Sequence, residues 1–288
     1  MVSIIITTYK EKDTLANAIN CVLNQKPTFD YEILIVGPDA ESEQVAKNFI
    51  DRYQQIRYIK DEHRGKPAAL NLAVQAARGD ILVLTDGDVW IGENTLNFLV
   101  SCFDNASVGA ATGHPLPINS RNNIFGYWAH FLTEAAHWLR IRNMIFPCSG
   151  YYYAFRKNLF ELVPENALSE DGLITQMIRV KQYRIEYIPQ AFVYVKYPNN
   201  FKDWLLQKKR STGGYKQKIG SLNKERNFYG ELVGGFKFLF VYPSNLREFW
   251  WTILLYLARL YLWLIIFWEQ RIIRPDFNKP WARIESTK

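Results

Sequence analysis

From residue 2 to residue 86 the chain alternates between two hydrophobic periods, and that alternation restricts the fold more than any other feature. "VSIIITTY", "YEILIVG", "IRYIK" and "DILVLTD" are short apolar runs of the kind buried on both faces. Between them "KDTLANAINCVLNQ", "SEQVAKNFIDRY" and "KPAALNLAVQAARG" carry apolar residues at helical spacing. In the last of these Pro67 stands near the start and Gly79 beyond the end, as helix boundaries favour. Strands separated by helices in this order become parallel neighbours, so the pattern implies an α/β fold with a doubly wound, mostly parallel sheet. Ligands of such sheets bind beyond the carboxyl ends of the strands.

The fourth strand ends at such a point, in "ILVLTDGDVW". Asp86 and Asp88 flank Gly87 there. Two readings stay open on this stretch alone. Asp and Gly are ordinary turn residues; equally, two hard oxygen donors at a strand end could hold Mg²⁺ or Mn²⁺ against a phosphate.

With 288 residues the chain has room for one large domain and an appendage. Its 35 Lys and Arg against 28 Asp and Glu give a net charge of +7, which admits phosphates, anionic lipid or nucleic acid without choosing among them. Cys21, Cys102 and Cys148 are odd in number and lack metal-ligand spacing, which fits a reducing compartment. The N-terminal "MVSIIITTYK" has no basic n-region and only a short apolar run, so it reads as a strand rather than a signal peptide.

Aromatic residues make up 15% of the chain, and the C-terminal part holds many of them. "FWWTILLYLARLYLWLIIFW", Phe249 to Trp268, is interrupted only by Thr252 and Arg259 and is long enough to span hydrocarbon, with tryptophans toward both ends. Arg259 would be costly at a bilayer centre. Glu248, Thr252, Tyr256, Arg259 and Trp263 recur at helical spacing as one semi-polar stripe. Beyond Trp268, Arg271, Arg274, Lys279, Arg283 and Lys288 make the tail basic, against the charge bias expected if the helix crossed with the bulk of the chain in the cytoplasm. The segment therefore either lies in the interface or crosses against that bias. "ELVGGFKFLFVY" just before it is too short to span and suits an interfacial helix.

Between these parts, "NTLNFLVSCF", "FGYWAHFLTEAAHWL" and "DGLITQMIRV" have helical spacing, while "GAATGHPLP" and "GYYYAFRK" read as extended. From Asn199 to Phe228 eight Lys or Arg face only Asp203 and Glu225, a basic stretch that suits either anionic headgroups or a solvated connector. His63, His114, His130 and His137 follow no zinc spacing; a structural role is the plainer reading for His114, and Cys148 reads as a small buried residue.

Five stretches, in order, resemble the family 2 glycosyltransferases. "VSIIITTYKE" looks like that family's "VSIIIPTYNE" opening strand, and "GKPAALNLAVQAARGDILVLTDGD" is similar to its run into the Asp-x-Asp motif. "CSGYYYAFRK" is similar to its acceptor-side strand, "SED" to its "TED", and "QKKR" to the first letters of "QxxRW". The resemblance covers roughly the first 215 residues, a length that suits one catalytic domain. It implies a GT-A fold, an inverting mechanism, a nucleotide-sugar donor and a divalent metal, Mg²⁺ or Mn²⁺.

By that resemblance Asp88 is the direct metal ligand, with Asp86 beside the metal and the ribose or donor sugar. A cation there meets the charge that builds on the leaving diphosphate. Asp171 is the candidate base that takes the acceptor proton, and the start of a helix is a place where dipole and capping favour a carboxylate; a plain helix-start role for "SED" explains the same letters. Glu170 contacts the acceptor or orients its loop. Gln207 and Arg210 stand three apart, and the guanidinium suits diphosphate oxygens as well as it suits a basic surface cluster. Thr8, Tyr9 and Glu11 are implied nucleotide contacts, and Lys66 a diphosphate contact or an exposed helix start. Two departures matter. Where "QxxRW" has its aromatic the chain has Ser211, with Trp204 as a spatial substitute, which argues against a long-glucan acceptor. Where relatives read "VDDGSTD" the chain reads "VGPDAESE", making Asp39 the nearest base-reading carboxylate and leaving uracil or guanine open.

The sequence is thus expected to hold a catalytic domain over 1–198, a basic connector carrying QxxR over 199–228, and membrane-associated helices with a basic tail over 229–288. The expected function is transfer of mannose or glucose from a GDP- or UDP-linked donor to a lipid-linked acceptor, a polyprenyl or dolichyl phosphate or a saccharide built on one, at the cytoplasmic face of a membrane and without nucleic acid. A processive polysaccharide synthase is opposed by Ser211 and by the lack of several spanning segments. A non-catalytic nucleotide-binding membrane adaptor is opposed by the intact Asp86, Asp88 and Asp171, and a nucleotidyltransferase by the absence of a glycine-rich loop in "TTYKEKD".

Overall fold

The computed structural model describes residues 1–144, 148–214, 238–269 and 285–287. The chain divides into two compact units. The first joins Met1–Leu116 to Phe146–Val195, and the second joins Pro117–Ile145 to Lys196–Thr287.

In the first unit the expected alternation is present as β1 (Val2–Thr7), α1 (Lys12–Leu23), β2 (Tyr31–Gly37), α2 (Ala40–Ile50), β3 (Ile56–Lys60), α3 (Lys66–Ala76) and β4 (Ile81–Asp86). It continues through β5 (Trp90–Ile91), α4 (Thr95–Ser101), β6 (Val108–Pro117), β7 (Tyr152–Arg156), α6 (Glu170–Val180) and β8 (Arg184–Val195). One eight-stranded sheet results, in the order β3-β2-β1-β4-β7-β6-β8-β5. β1 to β4 are mutually parallel, whereas β7 pairs antiparallel with both β4 and β6, and β5 antiparallel with β8. The first unit is thus a mixed α/β sheet with a parallel half, as the alternation implied, and the second ends in a long apolar helix.

The pairing follows from burial. β1 is buried at every position because strands flank it on both sides and helices cover the sheet, so Ile4, Ile5 and Ile6 are all but inaccessible. Leu15, Ala18, Ile19 and Val22 form the covering stripe of α1. At the amino ends of the strands Glu32 is buried but satisfied: Ser3 Oγ donates to it at 2.7 Å, Arg57 at 2.6 Å and the Arg78 backbone N–H at 2.6 Å. Burial would raise the Glu32 carboxyl, yet these donors hold it below its ordinary value. Gly79 N–H donates to the same Ser3 hydroxyl at 2.8 Å, tying the chain after α3 to β1.

The second unit is helical, with α5 (Ile124–Ile141), α7 (Phe201–Gly214), a short α8 (Phe238–Val241) and α9 (Leu246–Trp268). Tyr127, Trp128, Phe131, Trp204, Leu255 and Ala258 form its core. Asn123 and Asn245 cap α5 and α9 by accepting the N–H of Gly126 and Glu248. Trp204, expected as a possible stand-in for the missing aromatic, is buried in this core against Phe201 and Trp128. The basic tail from Arg271 to Arg283, Lys288, residues 215–228 of the connector and the first part of "ELVGGFKFLFVY" lie outside the described residues.

Candidate active site

The carboxyl ends of β1, β2 and β4, together with the first turns of α3 and α6, gather most of the candidate residues. Thr7 and Asp86 are register partners at the ends of β1 and β4, and the Thr7 hydroxyl donates to Asp86 Oδ1 at 2.7 Å. Lys66, the first residue of α3, places Nζ 2.7 Å from the same Asp86 oxygen and 3.1 Å from Glu170 Oε1. Glu170 opens α6 and is buried, so Lys66 joins a strand end to a helix start through two carboxylates.

Asp171 follows Glu170 in the first turn of α6. Its Oδ1 accepts the Ser169 hydroxyl at 2.5 Å and the Gly172 N–H at 2.8 Å. Ser169 holds the capping position, and Asp171 lies two residues on, within the first turn. Gly150 lies close to this carboxylate: a Cβ there would stand 3.1 Å from Asp171 Oδ2.

Asp88 lies half-buried one residue past Gly87 in the turn after β4. That turn is pressed against β1 and its loop: Gly87 N–H donates to Thr7 O at 2.9 Å, and a Cβ on Gly87 would meet Glu11 Oε2 at 2.5 Å and Thr8 Oγ1 at 3.0 Å. Only glycine permits this approach without moving Glu11 or Thr8, both of which are buried. The glycine between the two aspartates thus brings the expected nucleotide contacts Thr8 and Glu11 against the Asp86–Asp88 turn.

Asp39 has a different set of partners. Its Oδ1 caps α2 by accepting the Ser42 N–H at 2.9 Å, and its Oδ2 accepts the Lys10 N–H at 2.9 Å. Burial opposes ionisation of Asp39, but these donors hold its carboxyl below the ordinary value. Beside it Tyr9 is partly exposed, edge-on to His63 with ring centroids 5.0 Å apart. Gln207 and Arg210 belong to the second unit, half-buried on α7, where Ser211 Oγ donates back to Lys208 O at 3.2 Å.

Negative charge dominates the strand-end cluster. Burial, and after it the charges of Glu170, Asp171 and Asp86, keep the Tyr153 phenol well above its ordinary pKa, so these carboxylates act on one point of the interior. Lys66 is the cation paired with two of them. No group of three or more His, Cys, Asp or Glu among the described residues forms a ready-made metal cage. The chemistry of the donor set nevertheless fits Mg²⁺ or Mn²⁺, which take one or two carboxylates and complete their shell with water and substrate phosphates.

Thr7, Ser169 and Gly150 stand in the motif stretches but were not singled out, and the structure sets them against Asp86 and Asp171. The signal for Ser169 was present, a serine directly before two acids and an apolar helix. Thr7 and Gly150 have no local signature, because each acts through a neighbour far along the chain.

The Glycosyl transferase family 2 domain matches residues 3–163. A poly-beta-1,6-N-acetyl-D-glucosamine synthase of Staphylococcus aureus is 22% identical over 227 residues, covering 74% of this chain and 54% of that protein, so the chain spans about half the length of that relative. Glycosyltransferase AglE of Haloferax volcanii is 31% identical over 117 residues, 39% of this chain and 38% of that one. Among solved structures, the mannosyltransferase PcManGT from Pyrobaculum calidifontis in complex with GDP-Man and Mn²⁺ superposes with a TM-score of 0.60 at 18% identity, over 91% of this chain and 80% of that one. TarS of S. aureus, residues 1–349, in complex with UDP-GlcNAc gives a TM-score of 0.54 at 15% identity, over 86% and 77%.

Proposed function

This chain belongs to glycosyl transferase family 2, and from that premise we propose that it is a metal-dependent, inverting enzyme that moves a hexose from a nucleotide sugar to a lipid-linked acceptor. The observation that carries the reading is the chain of contacts Thr7–Asp86–Lys66–Glu170 with Asp171 next in sequence, which sets a donor-side carboxylate and a candidate base on one ionic framework.

Asp88, with Asp86, would hold the divalent ion, and that ion supplies charge neutralisation on the departing diphosphate. Thr7 and Lys66 orient Asp86. Lys66 also offers its ammonium to phosphate oxygens, at the start of α3 where the helix dipole favours an anion. Asp171 takes the proton from the acceptor hydroxyl as that oxygen attacks the anomeric carbon, with Ser169 and Gly172 fixing its carboxylate plane. Arg210 of α7 is proposed as a further diphosphate contact and Gln207 as its neighbour on that face. Thr8, Tyr9, Glu11 and Asp39 are proposed to receive the nucleoside.

Mannose from GDP and glucose from UDP are the donors proposed first. The GDP-Man and UDP-GlcNAc complexes of structural neighbours support both bases as candidates and add N-acetylglucosamine to the sugars worth trying. The apolar α9 supports a place at a membrane, and a lipid phosphate acceptor at the cytoplasmic face is proposed with it. The likeness to a poly-N-acetylglucosamine synthase favours processive synthesis as a second reading, which Ser211 opposes. Purified protein is to be incubated with Mn²⁺ and a panel of nucleotide sugars, scoring hydrolysis and thermal stabilisation. One nucleotide sugar that stabilises and is cleaved only with metal is the expected result; no response to any of them overturns the reading.

A further inference from the structure

Helix α9 is apolar and about 35 Å long, which fits a bilayer crossing and an in-plane position equally well. What it packs against separates the two. Its N-terminal half lies on α5: the Tyr127 hydroxyl and Thr252 Oγ1 are 2.6 Å apart, and Trp128 Nε1 donates to Trp251 O at 2.8 Å. Arg121 clasps Glu248 through two nitrogens at 3.1 and 2.8 Å. The C-terminal half lies on α7, where Phe201 meets Tyr261 and Lys209 Nζ reaches Glu269 at 2.5 Å. The protein-facing stripe Glu248, Thr252, Leu255, Ala258, Leu262, Trp263 and Ile266 is buried from end to end.

The opposite face repeats at steps of three and four as Leu246, Trp250, Leu254, Leu257, Tyr261, Leu264 and Trp268, and every one is exposed, Tyr261 at the border where it also meets Phe201. Trp250 is 62% exposed, Leu257 55%, Leu264 51% and Trp268 61%, so the ridge has no covered gap. Phe240 and Val241 of α8 add two more exposed apolar side chains just before it. Such a continuous patch on a folded unit marks a contact surface.

We infer that α9 lies in the plane of one membrane leaflet, its exposed ridge in the acyl and headgroup boundary and its other face on the protein, rather than crossing the bilayer. If α9 crossed, α5 and α7 would have to stand beside it at hydrocarbon depth. α7 brings Lys202, Asp203, Gln207, Lys208, Lys209 and Arg210, and charges at that depth are costly. In the plane, the ridge meets lipid while Lys208 of α7 and Arg142 after α5 suit anionic headgroups. On this reading Trp250 and Trp268, at the two ends of the ridge, would lie at one depth. The inference rests on the membrane part of the functional reading and not on the transferase chemistry.

The test is depth. In full-length protein with Cys21, Cys102 and Cys148 replaced by Ala, single cysteines at Trp250, Leu257 and Trp268 carry a fluorophore and are mixed with phosphatidylcholine–phosphatidylglycerol vesicles holding quenchers at graded depths. Equal, shallow quenching at all three is expected. Deep quenching at Leu257 with shallow ends means a crossing helix and overturns the inference alone. Absence of quenching, or protection of the ridge by a second copy in solution, overturns it together with the membrane reading, while metal-dependent donor cleavage in buffer tests the transferase separately. Leu257→Asp with Leu264→Asp, both exposed and so compatible with folding, should lower vesicle partitioning by at least about tenfold; unchanged partitioning also overturns it.

Discussion

Buried charge is used differently in the two units. In the helical unit Glu248 is consumed: Arg121 clasps it, Ser244 N–H donates to it at 2.8 Å, and Arg121 stacks over Tyr242 with 4.7 Å to the ring centroid. The Arg121 guanidinium is held protonated above its ordinary value chiefly by the hydrogen bond to Glu248, against burial. In the sheet unit the strand-end carboxylates Asp86 and Glu170 share Lys66, and Asp171 follows Glu170 in the first turn of α6. A closed pair fixes helices; carboxylates gathered at strand ends around one shared lysine are, on the proposed reading, where a divalent ion would be held. Glu32, at the far ends of the same strands, is the closed kind within the sheet unit.

The contrast breaks hardest at Asp88. Asp88→Ala should lower turnover by at least about 10³-fold and remove the metal-dependent part of donor affinity, read by calorimetry with and without Mn²⁺. Equal donor affinity in both proteins with metal present would make the strand-end turn a plain turn. Asp171→Asn should keep donor affinity and lose transfer by about 10²-fold or more, because an amide cannot take the acceptor proton. Near-normal turnover would reduce Asp171 to part of the α6 start.

Glu248→Gln sharpens the other side. Arg121 is more than a third exposed, so solvent screens the pair, and the loss should be about 1–2 kcal/mol of stability with donor affinity unchanged. A matching loss of donor affinity would show that the closed pair also serves the site. The smallest effect is expected from pH. The folded-state carboxyls of Glu32 and Asp39 are depressed, so their contribution is complete above the unfolded value near about 4 and is lost as pH falls through the folded value. Thermal melts from neutral pH down to about 3 should therefore show falling stability below about 4, less so in Glu32→Gln.

Sequence carried much of the sheet unit and less of the site. The parallel strands were legible because each is an apolar run closed by a helix with its own period, and Pro67 marked the start of α3. Asp86 was legible as the last letter of such a run. β8 was not singled out, although Ala191, Val193 and Val195 alternate with exposed Phe192 and Tyr194, because its first half, "RIEYIPQ", breaks the alternation. The order β4-β7-β6 is a long-range pairing that no local pattern encodes. The same reason hid the Lys66–Glu170 bridge, whose partners are set by the sheet and not by spacing. The semi-polar stripe of α9 was visible as a period, but which of its faces meets protein is decided by Tyr127, Trp128 and Arg121, far upstream.

The position of β7 between β4 and β6 has a consequence in time. β1 to β4 can assemble once Asp86 has been made, since every partner within the parallel group, β1 for β4 included, precedes that point in the chain. The open side of β4, with the sequence "ILVLTD", then waits for Tyr152–Arg156. At ordinary synthesis rates that delay is roughly 3–13 s. Over that interval a flat apolar edge has no partner, the state in which nascent chains stick to one another. Slowing the ribosome between the two strands, without changing a residue, should therefore lower the yield of soluble protein.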